Sequence, residues 1–176
     1  MNRYYRHIWL LVVTILLLIS ATNVHANRQR LVTWVADGDT LQVQAIGLVR
    51  LIGIDCPEKK ESDRDWKYLN MGCKNRKTLR DNAQSTLKRV IKLCKGKQVR
   101  LQFGNNKRDR YGRTLAYVWL PDGRMLNRII LEEGRGLVYR RFDFSYKKNF
   151  IQLEKSALKR QVGIWHGLRM KKYRKR

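Results

Sequence analysis

Residues 31–54 contain three short apolar runs that are separated by turn residues. Residues 31–35 end just before Asp37-Gly38, a dipeptide typical of tight hairpins. Residues 40–45 alternate apolar and polar side chains with the two-residue period of a strand. Residues 48–54 form a third apolar run after a turn at Gly47. Three strands in succession with tight turns predict a β-meander.

The rest of the sequence adds two strands and three helices to this meander. Apolar residues three or four positions apart predict a helix over residues 75–94, with Asn75 as its N-cap and Gly96 ending it. A charged loop at residues 59–74 precedes this helix. Strand patterns follow the helix at residues 98–103 and 113–120, and further helix patterns occur at residues 125–133 and 149–162. This order predicts an α+β, mainly β fold: a five-stranded OB-type Greek-key barrel with about three helices.

Four of the chain's few carboxylates lie in or beside the meander. Residues 31–58 hold Asp37, Asp39, Asp55 and Glu58, with Arg50 as the single basic residue. The whole chain carries 39 Lys and Arg against 14 Asp and Glu. Acidic oxygens hold hard cations, and basic side chains hold phosphates. An acidic cluster with one embedded arginine in a cationic chain therefore predicts a metal site that faces a polyanion.

The composition narrows the partners and the chemistry. A formal net charge of +25 favours binding to nucleic acid or to an anionic surface. Two of the three histidines, His7 and His25, lie in a predicted signal peptide, which leaves His166 alone in the mature chain. This excludes a paired-histidine ribonuclease mechanism and a multi-histidine zinc site. A hydrolase of this sequence has to use carboxylates, arginines, tyrosines and a metal.

Residues 1–26 have the pattern of a secretory signal peptide. Arg3, Arg6 and His7 precede an apolar stretch over residues 8–20, and the V-H-A sequence at residues 24–26 is typical of a cleavage site. We expect cleavage after Ala26 and a secreted or periplasmic protein. The alternative is an uncleaved anchor, but the apolar stretch is shorter than the roughly 20 residues of a bilayer span. The mature chain is then one domain over residues 27–168 with a basic tail over residues 169–176.

Three cysteines follow the predicted signal peptide, and their spacing matches no zinc pattern. Cys73 and Cys94 lie near opposite ends of the predicted helix, roughly 30 Å apart at about 1.5 Å per residue, which exceeds disulfide reach. Because secretion permits disulfides, Cys56–Cys73 is the favoured pair.

Three motifs occur in order along the chain. They are D-G-D-T at residues 37–40, R-L-I-G-I-D-C-P-E at residues 50–58 and D-R-Y-G-R at residues 109–113, and Asn127 follows in a predicted helix. Together they resemble the staphylococcal nuclease (thermonuclease) family, over residues 31–165. The resemblance implies a calcium-dependent enzyme that cleaves DNA and RNA endonucleolytically and leaves 3′-phosphates.

The resemblance also implies a set of metal ligands. Asp39 and Asp55 are expected to bind Ca²⁺ directly, together with the backbone carbonyl of Cys56. Calcium accepts carboxylate and carbonyl oxygens in flexible geometry. Manganese fits the same oxygens, and magnesium fits them less readily.

The catalytic groups follow from the same resemblance. Glu58 is the expected general base, which activates or orients the attacking water. Arg50 and Arg113 are the expected phosphate clamps, because a guanidinium stays charged and matches two phosphate oxygens at once.

Three further residues are expected to bind substrate. Arg110 and Tyr111 match positions that contact substrate phosphate in the family, and Tyr139 corresponds to a further phosphate- or base-contacting tyrosine. The expected partners are DNA and RNA, preferentially single-stranded or frayed, because an OB-type groove with aromatic side chains binds splayed bases. We expect a monomer with no stable membrane insertion after signal cleavage.

Several of these residues also have a structural interpretation. Asp37 is expected to support its own turn rather than bind a metal. Arg50 has an alternative role as the ion-pair partner of the two neighbouring acids, and Tyr111 has an alternative role in packing.

The aromatic side chains divide into two groups by sequence position. Trp34, Trp119 and Trp165 lie in or near apolar segments and are expected in the core. Trp66 and Tyr68 lie in the charged loop, where base stacking is an open alternative.

Two other functions are compatible with the charge of the chain. The first is a non-catalytic OB-fold nucleic-acid-binding module, and the second is a cationic envelope-binding protein. Neither needs the carboxylates of residues 31–58, which repel a phosphate backbone unless a cation sits between them. The sequence therefore favours a secreted calcium-dependent endonuclease.

Overall fold

The computed structural model of the chain describes residues 29–167. The predicted signal peptide (1–26) and basic tail (169–176) lie outside the described residues. Between residues 29 and 167, no helix combines the length and apolar character that crossing a bilayer requires.

The described chain contains seven strands and four α-helices. The strands are β1 (Gln29–Val35), β2 (Thr40–Val43), β3 (Gly47–Leu51), β4 (Ile54–Asp55), β5 (Gln98–Arg108), β6 (Thr114–Trp119) and β7 (Leu137–Val138). The helices are α1 (Trp66–Asn70), α2 (Arg76–Cys94), α3 (Leu126–Glu132) and α4 (Lys147–Lys159), with 3₁₀ turns at Asp63–Asp65 and Gly163–Trp165.

Five of these strands close into a barrel in the order β1-β2-β3-β6-β5. All neighbours in it are antiparallel except β3 and β6, which run parallel. The period-two pattern predicted the barrel interior, where Leu41, Val43, Val49 and Leu51 are buried. The α+β fold with a five-stranded barrel is confirmed.

The third predicted strand, over residues 48–54, divides into two. β3 ends at Leu51, and β4 leaves the barrel to pair with β7. Gly53 makes this bend with φ at +78°, and a Cβ added there would lie 2.5 Å from the Phe144 ring. The bend matters for the site because it carries Asp55 away from the barrel wall.

Helix α2 begins and ends close to the predicted bounds. The Asn75 side chain accepts a hydrogen bond from the Thr78 amide at 2.9 Å, as expected of an N-cap. Leu79, Ala83 and Val90 are buried on one face. The final helix, α4, begins two residues earlier and ends three residues earlier than the predicted 149–162.

Helix α1 was not predicted, and it raises the helix count within residues 29–167 from about three to four. It lies in the segment 59–74, which the sequence predicted as a loop. Five residues are too few for a periodic apolar pattern. The helix is held instead by contacts with the rest of the fold, since the neighbouring Asp65 is buried and accepts a hydrogen bond from Arg80 at 2.6 Å.

The predicted Cys56–Cys73 disulfide is wrong. All three cysteines within residues 29–167 are free and buried. Cys56 packs in the barrel core, whereas Cys73 packs in a second apolar cluster with Leu79 and Trp165. Burial raises the pKa of Cys94 to about 12.

The core prediction for tryptophan is right at one position and wrong at another. Trp165 is fully buried, as predicted, and Trp119 packs against the barrel core at partial exposure. Trp34 is 56% exposed. Trp34 lies on the outside of β1 because the pairing of β1 with β2 shifts register between Val32 and Trp34.

Asn127 on α3 provides a test of how this fold is held together. The side chain is fully buried, donates to the Ile52 carbonyl at 2.9 Å and accepts from the Val118 amide at 3.0 Å. We expect Asn127→Ala to lower the free energy of unfolding by about 2–4 kcal/mol, because it leaves two buried backbone groups unpaired. Urea unfolding measures this, with the exposed Asn70→Ala as control. A loss no larger than that of the control contradicts the assignment.

Candidate active site

Two carboxylates and one arginine meet at one end of the barrel. Asp39 lies in the turn between β1 and β2, and Asp55 lies on β4 just after the Gly53 bend. Arg50 on β3 pairs across the sheet with Thr40, which places its guanidinium between the two acids. It contacts Asp39 Oδ1 with Nη1 and donates from Nη2 to Asp55 Oδ1 at 3.0 Å. The structure thus joins three residues that the sequence assigned to the site.

Asp39 is held rigidly on all sides. Its side chain is 2% exposed. Oδ2 accepts from the Cys56 amide at 2.7 Å, and Oδ1 accepts from the Thr40 hydroxyl at 3.2 Å. The Asp39 carbonyl also accepts from the Leu51 amide at 2.9 Å. The bonds from Leu51 and Cys56 connect the Asp39 turn to the residues that directly follow Arg50 and Asp55.

Asp37 supports the turn, in agreement with its structural interpretation. Its Oδ1 accepts from the Asp39 amide at 3.0 Å. Burial raises the pKa of Asp37, and the charges of Arg50 and Arg113 oppose that shift. Asp37 is therefore a carboxylate that supports the turn and interacts electrostatically with both predicted phosphate clamps, Arg50 and Arg113.

Lys67 and Tyr68 on α1 both contact Asp55. Neither contact was predicted from the sequence. The Lys67 ammonium pairs with Asp55 Oδ2. The Tyr68 hydroxyl lies 3.0 Å from the Asp55 carbonyl oxygen and 3.1 Å from Oδ2. Tyr68 is 2% exposed, so base stacking by this residue is wrong. Burial, and then the charge of Asp55, raise the pKa of Tyr68, so the phenol stays protonated as a donor.

Glu58 lies at the solvent edge of the cluster. Its side chain is 40% exposed and pairs with Arg64 from the 3₁₀ turn before α1. It lies two positions after Cys56, whose amide donates to Asp39. This position gives the carboxylate access to water, which a general base needs.

Arg113 is aimed by Asp109. The Asp109 carboxylate accepts from the Tyr111 amide at 2.9 Å, from the Arg113 amide at 3.0 Å and from Arg113 Nε at 2.8 Å. Because β3 and β6 run parallel with Val49 opposite Thr114, Arg113 lies beside the strand that carries Arg50. The sequence named Arg113 but gave no reason to expect Asp109 as its anchor.

The predicted substrate-binding residues lie on the surface. Tyr111 is 66% exposed, so packing does not explain it. The guanidinium carbons of Arg110 and Arg113 lie 4.7 and 5.4 Å from its ring centre. Tyr139 is half-buried; its amide donates to the Gly53 carbonyl at 2.9 Å, and its ring lies 5.8 Å from that of Phe142.

The oxygen donors of the cluster suit a hard cation. Asp39, Asp55 and the Cys56 carbonyl offer oxygen only, which fits Ca²⁺ better than a soft metal. Among residues 29–167 no three His, Cys, Asp or Glu side chains group as a metal site. A metal here would therefore take two carboxylates and a backbone carbonyl from the protein. It would compete with Arg50 and Lys67, which already neutralise these acids.

Comparison with known proteins identifies the family of the chain. The family described as "Staphylococcal nuclease homologue" matches residues 48–167, more than half of the chain. A thermonuclease of Staphylococcus intermedius is 35% identical over 140 residues, covering 77% of this chain and 74% of that protein. A thermonuclease of Staphylococcus hyicus is 34% identical, covering 74% and 72%. An uncharacterized endonuclease of Escherichia coli O157:H7 is 31% identical, with the same two coverages.

The fold, the acid–arginine cluster and these matches define a hydrolase of the nuclease class. The chain belongs to the staphylococcal nuclease family.

Removing Arg50 tests the ion-pair cluster. Asp39 and Asp55 are 2% and 5% exposed at their side chains, so they would lose a shared cation in a poorly solvated place. We expect Arg50→Ala to lower the free energy of unfolding by about 3 kcal/mol in metal-free buffer. Arg128→Ala, which breaks an exposed pair with Glu132, is the control and should cost under about 1 kcal/mol. Equal losses in the two variants contradict the assignment.

The Asp109 anchor predicts a pH dependence. Although burial opposes it, hydrogen bonds from Arg113 lower the pKa of Asp109 below its ordinary 3.8. Because the folded pKa lies below the unfolded one, the carboxylate stabilises the fold above the unfolded pKa. This contribution is lost as pH falls through the folded pKa.

We therefore expect Asp109→Asn to cost about 1–2 kcal/mol at about pH 7 and progressively less below about pH 4. Urea unfolding of the parent and the variant across this range measures the difference. A difference that is independent of pH is the contrary result.

Proposed function

We propose that this protein is a secreted, calcium-dependent endonuclease that hydrolyses phosphodiester bonds in DNA and RNA. The observation that carries the proposal is the Arg50 guanidinium between the buried carboxylates of Asp39 and Asp55. Such a cluster holds charge of both signs in a fixed arrangement. The fixed positive charge stabilises the negative charge that develops on a pentacovalent phosphorus without reorganisation, and the carboxylates hold that positive charge in place.

The arginines bind and orient the phosphate. Arg113 is pre-aligned by Asp109, and Arg50 is pre-aligned by Asp39 and Asp55, so little side-chain freedom is lost when substrate binds. A guanidinium group has a planar fork of N–H donors that matches two phosphate oxygens, which suits both residues to this role. Together they neutralise the equatorial oxygens as negative charge builds on them.

Glu58 takes the proton from the attacking water. The water oxygen forms the new bond to phosphorus, and the bond from phosphorus to the 5′-oxygen breaks. The leaving oxygen takes a proton from solvent water, and Glu58 returns its proton to solvent. The products are a 3′-phosphate and a free 5′-hydroxyl, as the family resemblance implies. Arg64 holds the Glu58 carboxylate at the solvent edge, where water is available.

Calcium fits the oxygen donors of the cluster. Asp39, Asp55 and the Cys56 carbonyl would hold it, and when bound it would supply positive charge for the phosphate and lower the pKa of bound water. Lys67 and Arg50 pair with the same carboxylates, so both acids have a cationic partner before a metal binds.

The surroundings of the site favour single-stranded or frayed substrate. Tyr111 presents an exposed ring between two arginines, and Tyr139 lies beside Phe142 on the segment after β7. Exposed rings stack on unpaired bases, which duplex DNA does not offer. The net charge of +25 supplies a sequence-independent attraction that falls steeply with salt. Secretion is proposed from residues 1–26, and a monomer from the self-contained site.

A non-catalytic OB-fold nucleic-acid-binding protein is the alternative, and one observation favours it. Asp39 and Asp55 are already fully paired with Arg50 and Lys67, so their retention has a structural explanation without a metal. In that case the cluster stabilises the barrel end, and the basic surface alone carries the function.

Glu58→Gln separates the two functions. We expect the full chain to degrade plasmid and single-stranded DNA with Ca²⁺ and not with a chelator. Loss of the general base should lower the rate about 10²–10⁴-fold, because glutamine accepts no proton. Glu61→Gln, an exposed neighbour in the same loop, is the matched control and should cleave like the parent.

The contrary result is tight, salt-sensitive DNA binding by the parent without cleavage in any divalent metal. That outcome supports the binding module instead.

A further inference from the structure

We infer that the outer face of β1, β2 and β3 binds a further stretch of the nucleic-acid strand, with Trp34 as a base-stacking platform. This inference rests on the proposed nuclease function. It adds a binding surface outside the cluster of Asp39, Arg50 and Asp55.

An irregularity in β1 turns Trp34 outward. The pairing of β1 with β2 shifts register between Val32 and Trp34. Val32 and Val35 are buried, whereas Thr33 and Trp34 between them are both exposed. An inserted residue of this kind re-aims a side chain. Strict alternation would leave only one of these two positions on the outside.

Trp34 lies in a row with two other outward side chains. It pairs with Gln42 on β2, and Gln42 pairs with Leu48 on β3. Trp34 is 56% exposed and Leu48 is 44% exposed. Together these three residues form what we call the outer row: an exposed ring, an amide and an aliphatic side chain, with no acid among them.

The outer row is continuous with the proposed site. Leu48 and Arg50 are two residues apart on β3, so they share one face of the strand at about 7 Å spacing. The next row on the same face is Thr40 and Arg50, at the edge of the cluster. Strands lie about 5 Å apart, which places Trp34 a few nucleotides from the phosphate that Arg50 would hold.

One ammonium group lies over the ring, and a second binds the backbone two residues further along the chain. The Lys95 ammonium lies 4.9 Å from the centre of the Trp34 ring. The Lys59 ammonium donates to the Ala36 carbonyl at 2.8 Å, between Trp34 and the Asp37 turn. An exposed ring with adjacent ammonium groups matches a nucleotide, because the base stacks and the phosphates pair with the cations.

A second protein chain is a poorer occupant of this surface. Stable protein interfaces bury about 800 Å² per partner, and a row of three side chains flanked by lysines is smaller and more charged than that. Two like-charged copies would also bring Lys59 and Lys95 together. A polyanion is favoured by the same charges.

The test measures binding without cleavage in the Glu58→Gln background. Fluorescein-labelled single-stranded DNA of about four and about twelve nucleotides is titrated by anisotropy in Ca²⁺. We expect Trp34→Ala to weaken the twelve-nucleotide strand about tenfold, as loss of one stacked base does. Binding of the four-nucleotide strand, which the cluster alone holds, should stay within about twofold. Trp34→Phe keeps a ring and should stay close to the parent on both strands.

Each contrary result has a distinct meaning. Equal binding of the longer strand by Trp34→Ala and by its parent, in a protein that cleaves DNA, overturns the platform alone. Failure of the parent to bind DNA of either length overturns the nuclease proposal together with the platform. Sedimentation that shows a dimer lost in Trp34→Ala overturns the platform in favour of self-association.

Discussion

The ion pairs of Arg50 with Asp39 and Asp55 are the interaction on which the rest of the site depends. They join the β1–β2 turn, strand β3 and strand β4 through one guanidinium. Two buried acids without that cation would be costly, since like charges in a poorly solvated place raise each other's energy. The Gly53 bend, the pairing of β4 with β7 and the docking of α1 all serve to bring Asp55 to the same guanidinium.

Sequence periodicity predicted the barrel because buried apolar side chains occur at alternate positions, as with Leu41 and Val43 on β2 and Val99 and Leu101 on β5. The Asn75 cap likewise predicted the start of α2 to within one residue. Elements without a local signal were missed: α1 has five residues, and β4 and β7 have two each. These are stabilised by tertiary contacts such as Asp65 with Arg80, which no local pattern reveals. Trp34 was misplaced because an extra residue in a strand breaks the period-two rule.

The residues of the site also divide into those that the sequence predicted and those that it missed. The sequence placed Asp39, Arg50 and Asp55 in one cluster, and the structure brings them together from the turn before β2, from β3 and from β4 after the Gly53 bend. Lys67 and Tyr68 were not assigned to Asp55, because their approach depends on the unpredicted α1. Asp109 was named only as part of the D-R-Y-G-R motif, and the structure shows that its carboxylate accepts hydrogen bonds from the backbone and the side chain of Arg113. The catalytic, metal-binding and substrate-binding roles of the site residues, Glu58, Arg110, Tyr111 and Tyr139 included, remain predictions.

The most direct measurement is a crystal structure of the Glu58→Gln variant with Ca²⁺ and a short single-stranded DNA. We expect anomalous density for the metal between Asp39 and Asp55, with a phosphate on Arg50 and Arg113. Metal or phosphate density elsewhere, with the Arg50 ion pairs undisturbed, would contradict it. In that case the cluster would be a structural element of the barrel rather than the active site.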